Sequence, residues 1–326
     1  MEYWLLAKNH ITKMNKLNKP AVSVIIPTYN RANLLCRALK SVLNQTYQDF
    51  EVLIIDDCST DDTTRIVKSV NDKRLAYIYL NEQSGAAHAR NIGIKHSRGE
   101  FIAFQDSDDE WTAEKLQEQM DVIQHSSAVV GVVYSAFYRI EGDKTSYICF
   151  PEIKKKEGNI HSTILRKNFI DTTTVLVRKI CFEKSGLFDR SLPRLQDWEL
   201  WIRVSQHYHF KYITEPLVKA YCTAGGISAN DVAYHTAREI IFKKHFAEIR
   251  QHPALLAENY YYFGNNLCLE GEINSGRSYI IKALKIKPLN LKILIAVFLV
   301  LYMPEKYAQM IKALRYFWDR LNFLRN

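Results

Sequence analysis

The sequence predicts an α/β fold: a doubly wound, mostly parallel sheet flanked by helices, followed by an all-helical C-terminal appendage. Three observations carry this. Residues 22–26 (VSVII) and 50–55 (FEVLII) are nearly all-apolar, β-branched runs, the pattern of parallel strands covered on both faces. The segments between such runs place apolar residues at helical spacing. After about Asn230 the strand-like runs stop and helical periodicity continues, broken by few turn residues beyond Pro253, Gly271, Pro288 and Pro304.

The elements follow in order. Residues 1–19 carry four lysines and no clear periodicity, and read as an arm before the domain. The first strand is closed by Pro27. Leu34, Leu35, Ala38, Leu39, Val42 and Leu43 then mark a helix over 31–45, and the second strand completes a βαβ unit. A helix after Thr60, a strand at 75–80, a helix at 86–95, a strand at 101–104 and a helix at 113–124 continue the alternation. Such a sheet binds ligands at the carboxyl ends of its strands. Residues 128–222 mix short strands (129–138, 173–177, 212–214, 217–221) with short helices, and complete one domain over 20–230. Residues 231–326 form the helical region, with helices at 257–270, 275–285 and 289–302.

Composition bounds the function. The 326 residues suggest roughly two domains, and only 12 glycines and 8 prolines exclude collagen-like and low-complexity chains. Six scattered cysteines, with no Cys-x-x-Cys pair and no histidine cluster, read as reduced thiols. The apolar patch at 4–7 is too short for a signal peptide, and the run at 293–303 has about half the ~20 residues a spanning helix needs. The expected location is the cytoplasm, with room for contact at the membrane's inner face.

Three acidic constellations fall where ligands are expected. Asp56 and Asp57 end the second strand; a helix cap accounts for Thr60 to Asp62 but not for two adjacent strand-end carboxylates, which a base or ribose offering N–H or O–H donors would relieve. Asp106-Ser107-Asp108-Asp109-Glu110 follows the fourth strand. Alternate spacing places Asp106 and Asp108 on one side, and hard oxygen ligands of this kind suit Mg²⁺ or Mn²⁺ bridging to substrate phosphates. In the third, Asp197 opens a helix whose Trp198, Trp201 and Ile202 share a face. A carboxylate there either caps the helix or, with a raised pKa, serves as a general base.

Residues 21 to about 230 resemble a family 2 glycosyltransferase with the nucleotide-diphosphosugar transferase (GT-A) fold. The resemblance is carried by the run from Val22 to Arg31, by Asp56-Asp57, by the run from Gly85 to Gly93, by Asp106-Ser107-Asp108-Asp109, and by Gln196-Asp197, five motifs in the family's order. It implies that Pro27, Thr28 and Tyr29 line the nucleoside pocket and that Asp57 bonds the base with Asp56 nearby. Arg90 would sit near the ribose and diphosphate. Asp106 and Asp108 would form the DxD motif, Asp108 binding Mn²⁺ or Mg²⁺ directly and Asp106 lying nearer the ribose, and Asp197 would be the catalytic base. The implied reaction is inverting transfer of one sugar from a nucleotide sugar, a UDP-sugar, to a surface-glycan or lipid-linked acceptor.

Two departures from the family pattern matter. The Gln-x-x-Arg-Trp segment of processive members is absent after Asp197, which points to transfer of a single sugar. Where relatives place a histidine after a strand near Tyr221, this chain has Cys222-Thr223 and then a Gly225-Gly226 loop, expected to close over the donor. A nucleotidyltransferase of related fold would carry a glycine-rich basic loop after the first strand, where this chain has Pro27-Thr28-Tyr29-Asn30. A catalytically silent, helix-mediated interaction protein would have no reason to keep repelling carboxylates at three strand or helix ends.

The helical region carries most of the positive charge. From Asp231 onward about 14 basic residues face 8 acidic ones, so about +6 of the net +9 lies there. No nucleic-acid module is evident. Residues 260–288, with small residues at Gly264, Gly271 and Ala283 before Pro288, resemble a tetratricopeptide-type hairpin. Lys306, Lys312, Arg315, Arg320 and Arg325 alternate with Ile311, Leu314, Tyr316, Phe317, Trp318, Leu321 and Phe323, a pattern that fits either an interfacial basic helix or a helix packed on its neighbour.

Overall fold

A computed structural model describes residues 19–223 and 231–314, in two compact units, 1–234 and 235–326. The N-terminal arm, the Gly225-Gly226 loop and the tail from Arg315 lie outside the described residues.

In the first unit, strands β1 (Val22–Thr28), β2 (Phe50–Asp56), β3 (Leu75–Tyr79) and β4 (Phe101–Phe104) are parallel and stand in the order β3-β2-β1-β4. The register sets Val22 of β1 opposite both Phe50 of β2 and Phe101 of β4, so the three amino ends start together; β1 and β2 run on to the Thr28–Asp56 pair, past the Ile25–Phe104 pair that ends β4. The sheet continues through β8 (Val175–Arg178), β6 (Val130–Glu141), β9 (His209–Tyr221) and the two-residue β5 (Glu110–Trp111). β8 runs antiparallel to both β4 and β6, whereas β6 and β9 pair in parallel. Reversal at β8 brings the chain after β4, the chain before β8 and the end of β9 to one rim.

The sheet differs from expectation at three places. The two short strands read at 212–214 and 217–221 are one strand, β9, with register shifts around Pro216. Proline cannot donate to the ladder, and a bulge accommodates it. β6 turns through Gly142, at φ 56°, into the hairpin strand β7 (Lys144–Ile148). β5 is too short to leave a periodic signal.

Helices cover both faces. α1 (Ala32–Leu43) buries Leu35, Leu39 and Val42 against Val22, Val24 and Ile26, while α4 (Lys115–Gln124) adds Leu116, Met120 and Ile123 to the same core. On the other face lies α3 (Ala86–His96). Its Gly93 lies against β1, where an added Cβ would stand 2.5 Å from Ile25 Cγ2. Phe104 packs edge-on against Phe182 of α6 (Ile180–Ser185) and against Phe188. The remaining helices of this unit are α2 (Thr63–Ser69), α5 (His161–Arg166) and α7 (Gln196–Ser205).

A buried ion pair fixes the amino ends of these strands. Glu51 is buried in β2; its Oε1 accepts from Ser23 Oγ at 2.6 Å and from the Arg98 amide at 2.8 Å, and its Oε2 accepts from Arg98 Nε at 2.7 Å. Glu51→Ala removes at one stroke the buried acceptor of Ser23 Oγ, the Arg98 amide and Arg98 Nε, and the expected loss is about 3 kcal/mol by urea denaturation.

The second unit holds α10 (Pro253–Leu269), α11 (Ile273–Ile286) and α12 (Leu291–Tyr302), preceded by α8 (Asp231–Lys244, which starts in the first unit) and α9 (Phe246–Ile249). Gly264 and Gly276 let α10 and α11 approach closely: a Cβ on Gly264 would lie 2.8 Å from the Gly276 carbonyl oxygen. Gly271, at φ 93°, makes the turn between them. Ile280, Ala283, Ile293, Ala296, Leu299, Val300 and Tyr307 form this unit's core. Ile311 and Leu314, read as part of a basic amphipathic tail, pack against that core.

Candidate active site

Asp56 and Asp57 close β2. The adjacent carboxylates do not rely on a ligand for donors, as the sequence argument supposed: the chain itself supplies them. Asp56 accepts from the Ser59 amide at 2.7 Å and from the Tyr77 hydroxyl at 2.6 Å. Asp57 accepts from the amides of Ser84 and Gly85, at 2.8 and 2.7 Å, just before α3. Each oxygen keeps a further lone pair. Pro27 and Thr28 end β1 beside them, buried, and Tyr29 next to Thr28 is exposed. Two flanking residues without glycine's freedom, Asn30 (φ 49°) and Cys58 (φ 72°), hold left-handed backbone, a strain that clusters at functional sites.

The carboxylates after β4 are partnered unequally, two by basic side chains and two by neutral donors. Arg90, buried on α3, reaches Asp106 with an N–O distance of 2.7 Å. Asp109 accepts from the Tyr221 amide at 3.0 Å, and Glu110 pairs with Lys219 and with the Tyr221 hydroxyl, each at 3.0 Å. Among the described residues neither Asp108 nor Asp109 has a basic side chain on its carboxylate; Asp109 is buried, whereas Asp108 is partly exposed, its Oδ2 accepting from Thr223 Oγ1 at 2.7 Å and its backbone carbonyl from Arg37. That guanidinium lies 3.7 Å above the Tyr221 ring. Thr223 therefore reaches Asp108 from the stretch after β9, where the family resemblance implies a histidine.

Asp197 stands in the first turn of α7. Leu195, just before that helix, is held at φ 62°, and Trp198 anchors the helix through an Nε1–H bond of 2.6 Å to the Ile164 carbonyl. Asn168 donates to Asp197 Oδ2 at 2.9 Å. Burial, reinforced by the charge of Asp171, pushes the Asp197 carboxyl up to about 6. Burial and the charge of Asp106 likewise raise Asp171, and Asp109 is driven well up by burial and then by Asp106 and Asp171. Asp106, Asp109, Asp171 and Asp197 thus form one electrostatic neighbourhood. Sequence reading missed Asn168, Asp171 and Arg37. Their only local signal is the Asp171-Thr-Thr-Thr turn, in which Asp171 accepts from the Thr173 amide at 3.1 Å.

Among the described residues no three His, Cys, Asp or Glu side chains converge as a ready-made metal cage. The donor set nevertheless fits Mg²⁺ or Mn²⁺, because such an ion keeps waters and takes one or two carboxylates plus substrate phosphate oxygens. Asp108, an acid without a cation in a neighbourhood of like charges, fits that role.

The family model for glycosyl transferase family 2 matches residues 23–184. A UDP-Glc:α-D-GlcNAc-diphosphoundecaprenol β-1,3-glucosyltransferase of Escherichia coli, WfaP, is 33% identical over 216 residues, covering 64% of this chain and 80% of its own. Uncharacterized glycosyltransferases of Rickettsia are 32–35% identical, and the alignments span 31–64% of their lengths. Among solved structures, S. aureus TarS 1–349 in complex with UDP-GlcNAc matches with a TM-score of 0.69 at 22% identity, covering 90% of this chain and 91% of that one. The mannosyltransferase PcManGT of Pyrobaculum calidifontis, in complex with GDP-Man and Mn²⁺, matches with 0.55 at 22%, covering 97% and 94%. The structural matches establish shared fold. With the extent of the sequence match and five motifs gathered on one rim of the sheet, they lead to one conclusion: this chain belongs to glycosyltransferase family 2.

Proposed function

We propose that the protein is a non-processive, metal-dependent, inverting glycosyltransferase that moves one sugar from a nucleotide sugar, a UDP-sugar, to a hydroxyl of a surface-glycan or lipid-linked acceptor. The observation that carries this is Asp197, a carboxyl raised to about 6 in the same electrostatic neighbourhood as the Arg90–Asp106 pair. A pKa near the working pH is what a general base needs. UDP-sugar chemistry is supported by WfaP, named for UDP-Glc and a diphosphoundecaprenol-linked acceptor, and by the TarS complex with UDP-GlcNAc.

Pro27, Thr28 and Tyr29 line the nucleoside pocket; Asp57, held rigid by two amides, accepts a base N–H, with Asp56 bracing the same loop. Asp106, oriented by Arg90, lies on the ribose side, and Asp108 holds Mn²⁺ or Mg²⁺, with Asp106 alongside. The bound cation supplies charge neutralisation for the departing diphosphate. Asn168 occupies Asp197 Oδ2, which leaves Oδ1 to take the acceptor hydroxyl's proton. The acceptor oxygen forms its bond to the anomeric carbon as the carbon–oxygen bond to the diphosphate breaks on the opposite face, so configuration inverts.

A thermal-shift screen of nucleotide sugars with Mn²⁺ tests this reading. A donor present at 100 times its Kd stabilises by about 2.7 kcal/mol, a shift of several degrees. The expected hit is one UDP-sugar, dependent on metal. No shift from any nucleotide sugar contradicts the proposal.

Membrane contact belongs to the same reading; the tail from Arg315 lies outside the described residues, and α12 offers a surface for such contact. No helix among the described residues is long and apolar enough to cross a membrane. α12, however, exposes Leu291, Leu294, Phe298, Leu301 and Tyr302 on the face opposite its buried Ile293, Ala296 and Val300, with Phe298 54% and Tyr302 73% exposed. Between positions 282 and 312 stand six lysines and one acid, Glu305. An apolar helix face flanked by lysines complements an anionic lipid surface. Phosphatidylglycerol vesicles should sediment the protein at low salt and release the Phe298→Glu variant. Equal binding by the variant, or dimerisation of the wild type that this substitution abolishes, contradicts a lipid-facing role.

A further inference from the structure

Beneath the acidic rim lies a buried polar assembly that the chemistry above does not use. Lys115, the first residue of α4, has 0% of its surface exposed. Its Nζ donates to Gln119 Oε1 at 2.7 Å and to the Val175 carbonyl at 3.5 Å, and lies 3.9 Å from the centre of the Trp111 ring. Among the described residues no carboxylate pairs with it, and burial drives its pKa well below the ordinary lysine value. Gln119, equally buried, donates Nε2 to the Thr174 carbonyl at 2.7 Å and to the Val133 carbonyl at 3.4 Å.

The contacts join two parts of the site. Trp111 ends the stretch that begins at Asp106, and Thr174 and Val175 end the turn that begins at Asp171. The strand register deepens the link. Ala103 and Val133 both face Leu176, so extending the pairing by two residues sets Gln105 and Ser135 on either side of Thr174. Gln105, immediately before Asp106, is fully buried, and among the described residues neither of its side-chain amide atoms has a partner, nor does Ser135 Oγ or Trp111 Nε1. An apolar residue of equal volume would fill the place of Lys115 without the cost of desolvating an amine. Packing alone therefore does not account for the lysine.

We propose that Lys115, acting with Gln119, is a positioning residue that sets the spacing between the Asp106–Asp108 segment and the Asp171 turn. The proposal rests on the assignment of Asp108 as metal ligand. Lys115→Met preserves volume and removes the donor; Gln119→Met removes the relay from the other side.

The test combines melting temperature, calorimetric binding of UDP with and without Mn²⁺, and turnover. Lys115→Met is expected to melt near the wild-type temperature and Gln119→Met below it, because it leaves the buried Lys115 amine without its 2.7 Å acceptor; both should bind metal-free UDP like the wild type, since the nucleoside pocket is built on β1 and β2. Both should lose at least tenfold of the Mn²⁺-dependent gain in UDP affinity, with kcat falling in parallel. Variants that fold and keep that gain and full kcat overturn the positioning role. If Lys115→Met fails to fold, a folded Gln119→Met with full gain and kcat overturns it equally. A wild type whose UDP affinity gains nothing from Mn²⁺ instead overturns the metal assignment beneath it.

Discussion

Asp108→Ala is expected to abolish Mn²⁺-dependent UDP binding and to lower transfer by roughly 10³-fold, the several kcal/mol by which a metal ion stabilises a departing diphosphate. The fold should persist. Asp108 is partly exposed, its side chain accepts one bond, from Thr223, and the Arg37 contact is to its backbone carbonyl, which alanine retains. Calorimetry with UDP in the presence and absence of Mn²⁺ checks the first part. Unchanged metal-dependent binding would remove Asp108 as the ligand, and Arg90's hold on Asp106 makes that neighbour a poor substitute.

Asp197→Asn is expected to keep donor binding and to lose about 10²–10⁴-fold in kcat, the range for removing a positioned general base. The same change should stabilise the fold. A carboxyl raised to about 6 binds its proton more tightly folded than unfolded, so its favourable contribution is full below the unfolded pKa and is lost as pH rises through about 6. Above that, ionised Asp197 costs about 2–3 kcal/mol, which asparagine relieves. Urea denaturation should find the variant more stable than wild type at pH 8, with the difference shrinking toward pH 4. Wild-type kcat should rise with pH to a plateau above about 6, whereas the variant's residual rate should lack that step. Retained turnover in the variant would exclude Asp197 as base.

The parts of the site carried by local pattern were legible in the sequence. β1, β2 and β4 announce themselves as apolar runs because both faces are covered, and the carboxylates at Asp56, Asp57, Asp106 and Asp108 stand out because charge seldom follows such a run. What neutralises them was not legible. The amides of Ser84 and Gly85 meet Asp57 across 27 and 28 residues, and Tyr221 meets Asp109 across 112. Backbone donors leave no trace in residue identity. Asn168 and Asp171 reach the site only because β8 runs antiparallel between β4 and β6, a topology that periodicity does not report. Lys115 reads from sequence as an ordinary helix-surface lysine; only the tertiary fold buries it.

Crystals grown with UDP and Mn²⁺, with data collected at the manganese edge, test the central claim most directly. The account predicts an anomalous peak within bonding distance of an Asp108 carboxylate oxygen, and the uracil against Asp57. Nucleotide bound at the strand ends with no manganese at Asp108, or manganese held by other side chains, would contradict it.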